Sequence, residues 1–164
     1  MPITSSDIKY RLSGGSSNSD QNLSLGGVKS STEASASLLD NVDSAEAAAG
    51  DIEYRCIYVH NAHATLTMLS AKTWIQANTP SGDTTLAIGL GTSAVNTTEQ
   101  TVASESNAPS GVTFVSAADE ANAITLGDIP AGQHRAFWIR RTVTAAAAAF
   151  SDSATLRTKC DTLA

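Results

Sequence analysis

The sequence predicts an all-β protein: an antiparallel β-sandwich, of immunoglobulin-like or jelly-roll topology, over residues 51–164, preceded by an extended N-terminal arm over residues 1–50. Three observations predict it. From Asp51 onward the chain is a series of short runs rich in β-branched and aromatic residues, separated by clusters of Gly, Pro, Asn and Asp. Helical patterning is confined to one short Ala-rich stretch, so the interleaved helices that a parallel sheet needs are missing. Thirteen of the twenty-five residues from Ser13 to Ser37 are Ser or Gly, with only Leu23, Leu25 and Val28 as sizeable apolar side chains.

Taken in order, Ile8, Tyr10 and Leu12 alternate and suit a short strand or an extended anchor. The Ser/Gly-rich stretch that follows has too little apolar area to offset its ordering entropy, so it reads as a flexible stem that orders on a partner. Deleting residues 1–37 is therefore expected to leave the β domain folded. Asp43 or Ser44 can cap a helical turn or two that Gly50 ends.

Ile52 to His60 reads as a strand, with Asn61-Ala62-His63 as a hairpin tip and Thr65 to Gln76 as the returning strand. The apolar phase of that second strand slips between Met68 and Leu69, as a β-bulge would make it do. Asn78 to Asp83 is a turn cluster, and Leu86, Ile88 and Leu90 then alternate cleanly. Residues 92–110 are a long polar connection. Val112–Phe114 and Ile124–Leu126 read as short strands, and Pro130-Ala131-Gly132 as a tight turn. Arg135 to Thr144 places Phe137, Ile139 and Val143 on one face and Trp138 on the other. Ala145–Ala149 reads as a connecting turn, and Ala154, Leu156 and Thr158 mark a closing edge strand. Leu86, Ile88, Phe137 and Ile139 are the expected inward residues.

Composition narrows the function. Only 16% of residues are charged, against roughly 25% in ordinary soluble domains, leaving a surface of small neutral groups suited to being covered. A net charge of −6 disfavours nucleic-acid binding, which needs a basic stripe. Arg135, Arg140 and Arg141 are the only tight basic group and read as a salt-bridged strand edge. No apolar run approaches the roughly 20 residues of a membrane span. The start, Met1-Pro2-Ile3-Thr4, lacks the regions of a signal peptide, so synthesis in the cytoplasm is expected.

Residues capable of chemistry form no motif. His60 and His63 flank the expected hairpin tip, where they would diverge; His134 stands apart. Gly89-Leu90-Gly91 lacks the third glycine and following helix of a phosphate loop. Asp119, Glu120 and Asp128 lie in expected loops without the spacing of an EF-hand. Cys56 and Cys160 could be reduced fillers, an intramolecular bond or an intersubunit one. Trp74 and Trp138 sit among apolar neighbours and read as core. The sequence thus assigns no catalytic, cofactor-binding or metal-binding residue.

Five segments resemble small virion structural proteins of tailed bacteriophages: Asp7–Gly15, Asn22–Gly27, Ala49–Asn61, Gly89–Ser93 and Gly127–Gln133. The resemblance implies a location in the particle and no enzymatic task. A capsid decoration or cement protein is expected, forming a homo-oligomer and holding other virion proteins (the major capsid protein, or neck and tail proteins) through its arm and β domain. A neck, collar, tail or baseplate component, or a receptor- or carbohydrate-binding module of a fibre, is the alternative.

Overall fold

The computed structural model describes residues 2–148 and 152–162. Among these residues are nine strands, seven of which build the two sheets of an antiparallel sandwich. The larger sheet has four: β1 (Ile8–Leu12), β3 (Asp51–Asn61), β8 (His134–Val143) and β5 (Thr84–Leu90), in the order β1-β3-β8-β5. Against it packs a three-stranded sheet with β4 (Met68–Ala77) between β7 (Ile124–Ile129) and β9 (Thr155–Asp161). β2 (Gly26–Gly27) and β6 (Glu99–Thr101) pair with each other as a small separate ladder.

Alternation on the strands decides what lies between the sheets. Ile57 and Val59 of β3, Phe137 and Ile139 of β8 and Ile88 of β5 meet Met68 and Ile75 of β4 and Leu126 and Ile129 of β7 in one buried cluster. Leu86 packs on its margin, so the four expected inward residues all belong to this core. The opposite face of β3 and β8 is buried as well. Tyr54, Cys56, Tyr58, Ala136 and Trp138 form a second cluster, roofed by Val102 from the long polar connection and by Val112 and Phe114 just beyond it.

The bulge expected in β4 is present. Register shifts across Met68 to Lys72, and Ser70 takes a positive φ of 48°. The Ala-rich helix is also where the sequence puts it, as α1 (Ser44–Ala49). The Asp43 carboxylate accepts from the Ala45 and Glu46 N–H groups, and Gly50 ends the helix at φ 77°. Pro130–Gly132 forms its turn, with the Gln133 N–H donating to the Pro130 carbonyl at 3.0 Å. β9 is an edge strand, as its alternation suggested. Ala145–Ala148 lie in a connection; Ala149, the last residue of that expected turn, is outside the described residues.

Three expectations are corrected. Asn61-Ala62-His63 is not a hairpin tip, because β3 and β4 belong to different sheets. The Asn61 side chain donates to the carbonyls of Leu66 and Ile129, both at 2.8 Å, and steers the chain across the sandwich instead. The same crossing recurs from β4 to β5, β7 to β8 and β8 to β9. With β4–β7 pairing nested inside β3–β8 pairing, the topology is rolled in the jelly-roll manner. Val112–Phe114 is not a strand but roofs the second cluster; Val112 and Thr113 lie against Gly89 of β5, and Val115 forms an isolated bridge with Ile88.

The largest correction concerns the arm. Residues 8–33 are part of the domain. β1 pairs with β3 from Ile8–Asn61 to Leu12–Ile57, and Leu12 is fully buried. Where β1 ends, the flank of β3 would be left with unpaired backbone groups, and serines supply the partners. The Ser13 and Ser24 hydroxyls both donate to the Cys56 carbonyl, at 2.8 and 2.6 Å, and the Ser24 carbonyl accepts the Cys56 N–H at 2.8 Å. The Glu105 carbonyl takes the Tyr54 N–H at 2.8 Å. Ser13, Ser24 and Ser30 are wholly buried as a result. Gly26, at φ 94°, lets the segment run so close to β6 that a Cβ there would fall 1.8 Å from the Gln100 carbonyl oxygen. Composition suggested a stem too polar to order; the backbone of β3 is what orders it.

Candidate functional site

Among the described residues, two places gather much of the polar chemistry of the protein. The first lies over the outer face of the large sheet. Tyr58 donates its hydroxyl to the Gly27 carbonyl and accepts the Glu99 N–H at 2.9 Å. Its ring meets His134 edge-on at 4.9 Å, and His134 is the cross-strand partner of His60. The Glu99 carboxylate accepts from Thr92 N–H and Oγ1 and from Ser93 N–H, at 2.8 to 3.2 Å. Burial would raise its pKa, but these hydrogen bonds prevail and hold it below the usual carboxylate range. Glu99 is thereby an anchor for the 91–99 loop. Cys56 lies beneath, fully buried, its thiol pushed up by burial. It and the partly buried Cys160 are both free thiols.

The second place is one end of the sandwich interior. Asp51, Glu53 and Arg55 alternate onto the same face of β3 as Ile57 and Val59, so the apolar core ends in a charged layer. Glu53 faces Arg141 across β3 and β8 and forms an ion pair with it. Arg141 also reaches Asp40 at 3.1 Å, and Arg55 pairs with Glu105. Glu53 and Arg55 are wholly buried and Arg141 nearly so, which makes this network expensive to break: about 3–5 kcal/mol where one partner of such a pair is removed. The strap carrying Asp40 is itself pinned, because Leu38 is buried in the core.

The other candidate residues are used structurally. Arg135, Arg140 and Arg141 do not line a strand edge, since β8 is central; Arg140 instead stacks its guanidinium over Phe114 at 5.2 Å. Asp119 caps a 3-10 turn, Glu120 pairs with Lys159 at 2.8 Å, and Asp128, on β7 rather than in a loop, accepts the Ser70 N–H. Trp74 and Trp138 are both buried. His60 and His63 do not converge, and His63 instead accepts the Thr65 and Leu66 N–H groups in the crossover. No helix among the described residues is long and apolar enough to cross a membrane.

The two places give an opposed pH response. Burial, aided by Asp40, pushes Glu53 up to about 7 despite Arg141, whereas burial and the Lys29 charge pull His134 down to about 4. A raised carboxyl contributes stability fully below its ordinary value and loses it as pH rises through the folded one. A depressed imidazole contributes fully above its ordinary value and loses it as pH falls toward the folded one. His60, also lowered by burial, acts in the second sense. Wild-type stability in EDTA is therefore expected to vary less with pH from about 4.5 to 6.5 than that of a variant lacking either group, because the Glu53 and His134 contributions oppose each other there. In Glu53→Gln it should climb with pH across that window, and in His134→Gln it should fall. Urea melts at stepped pH check this, and level profiles in both variants would contradict it.

No protein family, curated protein or solved structure matches the chain. What the fold and the two polar clusters define is an antiparallel β-sandwich whose titratable residues are largely committed to holding loops and strand ends.

Proposed function

We propose that the protein is a non-enzymatic structural component of a tailed-bacteriophage particle, a decoration or cement protein that binds other virion proteins. The observation that carries this reading is where the sandwich is closed and where it is open. On the large sheet, β1 is flanked by residues 30–34, whose backbone exchanges hydrogen bonds with Tyr10 and Leu12, and β5 is flanked by Val115. On the small sheet, β7 and β9 each lack a hydrogen-bonded neighbour beyond them among the described residues, and β9 is the edge we read as the docking strand. An open edge strand is a template for a partner's strand, with main-chain hydrogen bonds giving affinity. β9 turns Arg157 and Lys159 outward, which suits an acidic or neutral partner segment and disfavours antiparallel pairing with a second copy of itself. The sequence resemblance to virion proteins supports the location, and the low surface charge supports coverage by neighbours.

Docking thus passes from the N-terminal segment, which the domain uses for itself, to the β9 edge. Purified protein mixed with particles lacking it is expected to bind stoichiometrically, and Arg157→Glu to weaken that binding at least about tenfold without changing the fold. Specific binding to host envelope glycans, with none to particles, would replace this reading by a receptor-binding module.

A further inference from the structure

We propose that Glu46, Asp51 and Glu53 form a binding site for a hard divalent cation of the calcium class, at the end of the sandwich where α1 meets β3. One carboxylate oxygen from each residue lies within 4.8 Å of the other two. Gly50 makes the convergence possible: its φ of 77° turns the chain from the end of α1 directly into β3.

The cluster alone would be unremarkable, but its buried member is incomplete. Glu53 is inaccessible to solvent and gives Oε2 to Arg141, while its Oε1 is buried with no hydrogen-bond partner. An orphaned carboxylate oxygen inside a protein requires a partner of some kind. The Asp51 carboxylate makes no hydrogen bond or ion pair among the described residues, and Glu46 commits only Oε2, to the Asp43 N–H at 2.7 Å.

Charge points the same way. Asp40, Glu46, Asp51, Glu53 and Glu105 surround this end of the interior, and Arg55 and Arg141 balance only two of the five. The neighbouring group of Asp40, Glu53 and Glu105 is already held by those arginines, so the unbalanced charge falls on Glu46 and Asp51, beside Glu53. An all-oxygen, carboxylate-rich set excludes soft-metal preference and fits Ca²⁺, which accepts irregular geometry and completes its shell with water; Mg²⁺ demands a stricter octahedron. Bound there, the ion would fasten α1 to β3 and give Glu53 the partner it lacks.

The test uses the full chain stripped with EDTA. Calorimetric titration with CaCl₂ should show one saturable site per chain, and saturating Ca²⁺ should raise Tm by several degrees, with Mg²⁺ weaker. Asp51→Asn should fold normally, having no partner to lose, yet weaken Ca²⁺ binding at least about tenfold. Glu120→Gln, whose carboxylate pairs with the exposed Lys159 away from the cluster, should leave Ca²⁺ affinity unchanged. The proposal is overturned if Ca²⁺ gives neither heat nor a Tm shift at about 10 mM. It is equally overturned if Asp51→Asn binds Ca²⁺ as tightly as the unaltered chain.

Discussion

A chain lacking residues 1–34 is expected not to fold. The deletion removes β1, and with it the five-residue ladder to β3 and the fully buried Leu12, whose truncation to Ala alone would cost about 2–5 kcal/mol. It also removes Ser13 and Ser24, leaving the Cys56 N–H and carbonyl without partners between two hydrophobic clusters. A buried backbone group without a partner costs about 1–3 kcal/mol. Tyr10 goes too, and its hydroxyl bridges the sheets by a 2.7 Å hydrogen bond to Thr158 of β9. These losses fall on one strand, β3, that borders both clusters, and they approach the whole stability of a typical domain, about 5–15 kcal/mol. Far-UV circular dichroism and urea melts of the truncated chain check the expectation. A cooperative melt near the wild-type midpoint would show that the β domain stands without this segment, as its composition alone suggests.

The reason composition misleads here is physical. Apolar content estimates how much burial a segment can gain from its own side chains. It does not register hydroxyls that replace a missing strand, because their acceptor, the Cys56 carbonyl, lies 32 and 43 residues away. Core phase was legible for the opposite reason: in Phe137-Trp138-Ile139 the alternation is local, and it assigns each residue to one of the two clusters correctly. The bulge at Ser70 and the Asp43–Gly50 caps were legible on the same grounds.

Turn residues, by contrast, encode a reversal but not its destination. Asn61-Ala62-His63 therefore looked like a hairpin when it carries the chain to the other sheet. The acidic site lies between these cases. Glu46, Asp51 and Glu53 are close in sequence, with a helix-ending glycine between them, yet no known ligand spacing marks them. Their approach depends on how Gly50, at φ 77°, turns the chain from α1 into β3, and the orphaned Glu53 oxygen depends on Arg141, far along the chain.

Phe137→Ala is expected to cost about 3–5 kcal/mol. The ring is wholly buried, lies opposite Ile57 on β3 and Leu90 on β5, and meets Tyr10 edge-on at 6.3 Å. It therefore contacts both neighbours of the central strand and the ring of β1 beyond them. Truncation would leave a cavity that these strands cannot close, because each is fixed by its own ladder. The aromatic contact adds roughly 0.5–1.5 kcal/mol to what area alone supplies. The denaturant midpoint should fall with little change in m, since the folded topology is retained. Leu86→Ala, at the margin of the same cluster, should cost less. A Phe137→Ala loss below about 1 kcal/mol would place this side chain at the surface and reverse the phase of β8, exchanging its two faces. That reversal would also put Trp138 between the sheets and Arg141 outside the charged layer, so one melt tests the core and the ion-pair network together.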